Sequence, residues 1–525
     1  MQDLHADFMS LVQKTMDNSL PNVSVTENGA IGYATSGSKL VDLNFALSSM
    51  RNMTSDAIVA MYRDAYNENP IMAMVWLFFA RDVRGGCGER RVFRIIFEWL
   101  CYENTESAIR LLRLIPFYGR WDDVIEVVFG SVPCKVRDEA NNMINRQMQS
   151  DVLSANTGNN VSLLAKWMPS LNTSSKESCR RAELLRLSLG WSPKQYRKNL
   201  SGLRKRINIV EKQMSANEWG RINYGAVPSR AAMNYRKAFD RHDHYGYYKY
   251  LTDVKSGAAK IHSGVLFPHD IVHAYHVPYS LPNKPDETLE EQWKALPNKV
   301  KPGSETLVIV DGSGSMADRI GNTKISCHDV ANALGIYFAE RLSGPYHNSF
   351  ITFSKNPQFV RFADGLSLHA KLCITEKHCD CSNTNIEKTF DMILDTAVAN
   401  HLKQEEVPAN VLIVSDMEFD AATSHYDPGI GVVSDLPKTL FDTIRERWTS
   451  AGYKMPRLVF WNVLSKTRTI PVNENDLGVA LVSGFSPNVA SMVMSGATDP
   501  YSVLVEKLMS DRYDQVREAL RGKDE

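Results

Sequence analysis

Asp311, Ser313 and Ser315 stand at alternate positions in the run Val310-Asp-Gly-Ser-Gly-Ser-Met316, and place one carboxylate and two hydroxyls on a single short loop. Hard oxygen donors of this kind suit Mg²⁺ first, with Mn²⁺ or Ca²⁺ as alternatives, and suit zinc poorly. Gly312 and Gly314 let the loop turn tightly between its donors. Two more oxygen donors lie downstream: Thr384 in Ser382-Asn-Thr-Asn-Ile386, and Asp416 in Leu412-Ile-Val-Ser-Asp-Met417. The competing reading of Asp311 to Ser315 is a capping turn that merely satisfies N–H groups at the start of the next helix. Glu418 and Asp420 follow closely and are expected as solvated loop acids. With no nucleophile or general base beside the oxygens, binding is expected rather than catalysis, and a metal-assisted hydrolase stays as an alternative.

A second kind of chemistry is electrostatic. Between Val161 and Lys260 there are twenty Lys or Arg against seven Asp or Glu, a local excess of thirteen in a chain of zero formal net charge. The densest stretch carries Lys194, Arg197, Lys198, Arg204, Lys205 and Arg206; a second cluster holds Arg230, Arg236, Lys237 and Arg241. On a helix, Lys194, Lys198 and Lys205 fall near one face. Tyr235, Phe239, Tyr245, Tyr247, Tyr248 and Tyr250 interleave with the second cluster. Cations along helices bind phosphates, and aromatic and Arg planes stack on unpaired bases. The plainer reading is solvated helix faces with the aromatics in the core.

These groups need elements to hold them. From about Gly303 onward, apolar runs of strand length alternate with helical periodicity. Strands are expected at Thr306–Val310, Ser349–Phe353, Phe359–Phe362, Val411–Val414, Leu458–Val463 and Val479–Val482, with helices at 325–342, around Ile386 to Leu394 and near 437–449. That alternation predicts a mostly parallel, doubly wound α/β domain. Ligands of such sheets bind beyond the carboxyl ends of the strands, where Asp311 and Asp416 fall. Before residue 300, the runs Thr54–Leu100, Glu106–Val128, Arg181–Leu203 and Ala231–Tyr250 repeat apolar residues at three- and four-residue intervals, which predicts a helical region of stacked, HEAT-like pairs. The expected division is 1–277 helical, 278–304 a proline-punctuated linker, and 305–525 α/β.

Composition sets outer limits. At 525 residues, 43% hydrophobic and 23% charged, the chain reads as an ordinary multidomain globular protein. The longest apolar run, Ile71 to Ala80, is half a membrane span and is expected as a buried helix. The N-terminus, with Asp3, His5 and Asp7, lacks the apolar core of a signal peptide. Eight scattered cysteines are expected as reduced thiols in the cytoplasm. Their one cluster, His378-Cys-Asp-Cys381, has no second ligand pair nearby to complete a zinc site.

Asp311, Ser313, Ser315, Thr384 and Asp416 resemble, in order and strand context, the metal-ion-dependent adhesion site of von Willebrand factor A domains. That resemblance covers about 220 residues and implies an open metal position filled by a carboxylate of an acidic protein partner. It departs from the usual pattern twice: no glycine pair precedes Thr384, and Ser-Asp-Met-Glu stands where many relatives have Thr-Asp-Gly. A helical half joined to such a domain resembles the Ro ribonucleoprotein (TROVE) architecture, which implies binding of small noncoding RNAs and single-stranded RNA ends. The stretch Leu189-Gly-Trp-Ser-Pro-Lys194 with Arg197 and Lys198 is similar to the opening of a basic RNA-lining helix in Ro proteins. A Ro-related family shows similar stretches at Asn28–Gly37, Tyr118–Asp123, Ala165–Pro169, Val227–Ser229 and Ser415–Met417, and implies the architecture without an activity.

Overall fold

The computed structural model describes residues 22, 24–207, 210–276, 281, 284–300, 305–353, 356–378, 382, 385–420, 440–471, 479–493 and 499–521. The chain divides into two compact units, one formed by residues 1–52 with 298–507 and the other by 53–297 with 508–525.

The first unit is built on a six-stranded mixed sheet. In chain order, after a two-stranded hairpin β1 (Ser24–Val25) and β2 (Ile31–Gly32), the strands are β3 (Thr306–Asp311), β4 (Ser349–Phe353), β5 (Gln358–Arg361), β6 (Asn410–Ser415), β7 (Arg457–Asn462) and β8 (Val479–Ser483). All six expected strands form, within one residue of their anticipated ends. The spatial order is β5-β4-β3-β6-β7-β8; the β4–β5 edge pair is antiparallel and every other pair is parallel. Strands β3, β4 and β8 are buried along their whole length, which is why Leu307–Val310 and Val479–Val482 read as unbroken apolar runs without period-two alternation, whereas β4 carries Ser349 and Thr352. Strand order reverses between β3 and β6, which puts the switch point of the sheet, where ligands of such folds bind, at the carboxyl ends of these two strands.

The helix Cys327–Arg341 packs on β3, β4 and β6. Ser326 caps it, with Asp329 closing a capping box, and Val330, Leu334, Tyr337 and Phe338 are fully buried as the spacing requires. A methyl on Gly335 would lie 2.6 Å from a Val310 methyl, so this glycine lets the helix approach β3 closely. The short hairpin was not anticipated. Its Gly29 bridges Asp420 after β6, and Tyr33 bridges Ile470 after β7.

The second unit is helical, as the periodicity predicts. The run Thr54–Leu100 resolves into helices Ser55–Glu68, Pro70–Arg81 and Arg90–Glu103. Asn69 caps the second of these and Pro70 occupies its first position, where a missing N–H costs nothing. Met72 to Ala80 are buried, as expected for this apolar run, while Ile71 is half-exposed. No helix among the described residues is long and apolar enough to cross a membrane. Within the proline-punctuated stretch, residues Glu287–Lys294 form a helix with Leu289 and Trp293 buried. Polar groups organise this interior too. Asp123 accepts from Arg81 Nε and Nη2 at 2.9 and 2.6 Å and from Arg94 Nε at 2.8 Å, all on buried or half-buried side chains. A Cβ at Gly119 would lie 2.6 Å from that carboxylate, so the Tyr118–Asp123 stretch is a packing motif with a glycine that nothing larger replaces.

Candidate functional site

Strand β3 ends at Asp311 and β6 ends one residue before Asp416, so adjacent parallel strands deliver both carboxylates to the same edge of the sheet. Both are buried, as is Ser313. Asp311 Oδ1 accepts from Ser313 N at 2.9 Å and Oδ2 from Ser415 Oγ at 2.5 Å. Ser313 and Ser315 hydroxyls lie 3.0 Å apart, and Ser315 also hydrogen-bonds to Asp416. Asp416 Oδ1 accepts from Glu418 N at 3.3 Å. Four of the five expected ligands therefore gather; the fifth, Thr384, lies outside the described residues. Its loop nevertheless meets the first one, because Gly314 N donates to Ser382 O at 3.1 Å.

The capping alternative does not account for these hydroxyls. The next long helix starts only at Cys327 and is capped by Ser326, and Ser313 makes no side-chain cap bond to the one-turn helix Gly314–Ala317. Burial raises the Asp311 carboxyl above the ordinary range, and burial followed by the Asp311 charge raises Asp416. Among the described residues, neither carboxylate forms an ion pair with a Lys, Arg or His. Two buried like charges with hydroxyls between them fit a small divalent cation, which would supply the missing countercharge. No three His, Cys, Asp or Glu side chains cluster among the described residues, so any metal here depends on serine oxygens. Of the cysteine cluster, only His378 is among the described residues, with its Nδ1 2.8 Å from Ile374 O.

The backbone beside Asp416 is strained: Met417 has φ +65°, a region that favours glycine. Glu418 corrects an expectation. It is fully buried rather than solvated, because the loop after β7 and the hairpin enclose it. Its carboxylate accepts from Glu27 N (2.8 Å), Lys466 N (2.7 Å), Thr467 N (2.9 Å) and the hydroxyls of Ser465 and Thr467. Its carbonyl accepts from Asn28 Nδ2 at 2.7 Å. Ser415 and Glu418 thus brace the loops that carry Asp311 and Asp416, and the only local signal for them was their place beside Asp416.

Residues 305–520 match a domain of unknown function, DUF7788, and residues 26–132 and 186–305 match a second domain of unknown function, DUF2828. The uncharacterized protein L728 of Acanthamoeba polyphaga mimivirus is 29% identical over 531 residues, spanning 93% of this chain and 88% of its own length. This chain is similar to all three. The DUF7788 match contains the whole oxygen cluster, and the second DUF2828 segment contains every cation of the two basic clusters.

Those cations sit on helices of the second unit. Helix Pro193–Arg206 is capped by Ser192 and buries Tyr196, Leu200 and Leu203 on its inner face. Lys194, Arg197, Lys198 and Lys205 point outward, exposed and without ion pairs among the described residues. Arg204 is committed inward: it donates to Ala165 O (2.9 Å), Ser170 Oγ (2.8 Å) and Met168 O (2.5 Å), and burial lowers its pKa. Arg206 closes the end of the helix Cys134–Asn156 through Ala155 O at 2.8 Å. On helix Ser229–His242, Arg236 pairs with Asp286 at 2.7 Å while Lys237 and Arg241 are exposed and form no ion pair among the described residues. The interleaved aromatics divide likewise: Phe239 and Tyr247 enter a core with Tyr224, whereas Tyr245 and Tyr248 are 82% and 55% exposed.

Proposed function

We propose that this chain is an RNA-binding protein of the Ro ribonucleoprotein type. Its helical, TROVE-like repeat unit would bind small noncoding RNA or single-stranded RNA ends, and its doubly wound von Willebrand A-type domain would hold Mg²⁺, with Mn²⁺ or Ca²⁺ as substitutes. The observation that carries the RNA reading is a contrast between neighbouring helices. On Lys176–Ser188, Arg180, Arg181 and Arg186 are all spent on Glu177, Glu126 and Glu183. On Pro193–Arg206, Lys194, Arg197, Lys198 and Lys205 reach solvent with no acid to meet them among the described residues. Lys237, Arg241, Tyr245 and Tyr248 extend the same chemistry with exposed rings suited to base stacking. Phosphate contact releases counterions, so the logarithm of affinity should fall linearly with that of salt, by about 0.7 per phosphate neutralised on single strands. The quadruple variant K194A/R197A/K198A/K205A removes four surface charges and no buried contact. It should flatten that slope by about three; an unchanged slope and affinity would reject the reading.

The two carboxylates, which form no ion pair among the described residues, favour a second reading, a cytoplasmic scaffold whose bound metal docks an acidic protein partner. The substitution Asp311→Ala separates the two: it abolishes partner capture in the scaffold and spares RNA affinity in the RNA binder. A metal-dependent hydrolase, the remaining alternative, requires turnover that chelator removes.

A further inference from the structure

Along one side of helix Pro193–Arg206, where its inner and outer faces meet, lies a cleft of about 420 Å³, within the roughly 300–1,000 Å³ of small-molecule sites. Arg197, Arg204 and Lys212 line it together with Ser170, Asn172 and Ser201, and no Asp or Glu is among its lining residues. The three cations differ in freedom. Arg204 is fixed by two carbonyls and Ser170 Oγ, so it contributes standing positive charge and shapes the rim. Arg197 and Lys212 make no ion pair among the described residues, so their donors are available. Leu171, Leu200 and the Tyr196 ring supply an apolar wall. Tyr196 is itself pinned by its hydroxyl to Pro169 O at 2.8 Å. The cleft is thus built where the Ala165–Pro169 stretch is tied to the basic helix by two side chains of that helix.

We propose that this cleft binds a nucleotide through its phosphomonoester, and that on a strand it recognises a phosphorylated RNA end; the second statement rests on the RNA reading above. A phosphomonoester carries about −1.5 to −2 charges at neutral pH and three acceptor oxygens, a closer match to three cations and two hydroxyls than a carboxylate. Guanidinium forks take phosphate oxygens in pairs, while the lysine acts as a point charge. The volume is too large for the phosphate alone, and the apolar wall gives the sugar and base a place.

The test uses the full chain. Calorimetric titration with AMP, adenosine and inorganic phosphate reads the free nucleotide. A short oligoribonucleotide with a 5′-phosphate, a 3′-phosphate or hydroxyl ends reads the strand terminus. AMP should bind at least about tenfold more tightly than adenosine or phosphate, as loss of a charged hydrogen bond predicts, and one phosphorylated end should exceed the hydroxyl strand by a similar factor. The variant R197A/K212A alters exposed or half-exposed side chains; it should erase both differences at an unchanged thermal midpoint. AMP binding without RNA binding supports a nucleotide site and rejects the RNA reading. RNA binding that ignores the end, with AMP no tighter than adenosine, overturns the cleft proposal and leaves the RNA reading standing. AMP binding no tighter than inorganic phosphate overturns the nucleotide assignment.

Discussion

The two units bury acidic side chains in opposite ways. In the helical unit, Asp123 is enclosed with its countercharge: Arg81 and Arg94 occupy both oxygens, and the Arg120 N–H adds a third direction at 3.1 Å. In the sheet unit, Asp311 and Asp416 are as deeply buried, yet their neighbours are serines and backbone N–H groups. Desolvating a carboxylate costs several kcal/mol unless a cation answers it. The first arrangement is complete as folded and serves packing. The second has no countercharge among the described residues. Glu418 stands between them, enclosed by a ring of neutral donors and supporting the site without joining it.

The contrast can be broken most forcefully at Arg81. Arg81→Met leaves Asp123 buried beside one arginine instead of two, and chemical denaturation should register a loss of about 3–5 kcal/mol. Asp311→Asn, at equal depth, should leave stability in chelator unchanged or improved, since it removes one of two repelling charges. A loss there as large as at Arg81 would mean that Asp311 is structural.

Metal supplies the next largest effect. Mg²⁺ or Mn²⁺ at a hundredfold excess over its dissociation constant should stabilise the protein by about 2.7 kcal/mol, and Asp311→Asn should abolish the gain. A thermal midpoint that ignores metal in both proteins would remove the metal assignment.

Acidity sharpens the comparison further. A carboxyl whose pKa is raised by folding holds its proton longer in the native state, so metal-free stability falls as pH rises above about 4, the unfolded value, and levels off above the raised native value. The deficit is absent below that range. Metal binding must displace those protons, so apparent affinity strengthens over the same rise. Denaturation midpoints in chelator from pH 4 to pH 8, on wild type and Asp311→Asn, should converge at the acid end and separate at the alkaline end.

The smallest effect isolates backbone strain. At Met417, Gly and Ala substitutions both remove the buried side chain, but only glycine tolerates φ +65° freely. The glycine variant should be the more stable by about 1 kcal/mol. Equal stabilities would show that the turn relaxes when the side chain is lost.

What the sequence displayed depended on how far each signal reached along the chain. Strands β3, β6 and β8 were readable because burial on both faces leaves continuous apolar runs, and the Asp311–Ser315 spacing is a five-residue pattern. The hydroxyl of Ser415 and the enclosure of Glu418 were not readable: the Glu27 N–H that meets Glu418 is 391 residues away. The inward commitments of Arg204 and Arg236 escaped for the same reason, since a basic helix shows its charges in sequence but not which of them a distant carbonyl or Asp286 will hold. The helix at Glu287–Lys294 was hidden among prolines that fall just outside it.

Asp82 carries a consequence for how the protein is made. It is fully buried, and its carboxylate is held by Arg512 and by Tyr513, whose hydroxyl lies 3.2 Å away. Arg512 is 430 residues farther along the chain. At roughly 5–20 residues per second, a ribosome takes some tens of seconds to cover that distance. Throughout that interval the nascent helical unit lacks the arginine that answers Asp82, so vectorial synthesis leaves this buried carboxylate uncompensated until the segment carrying Arg512 emerges.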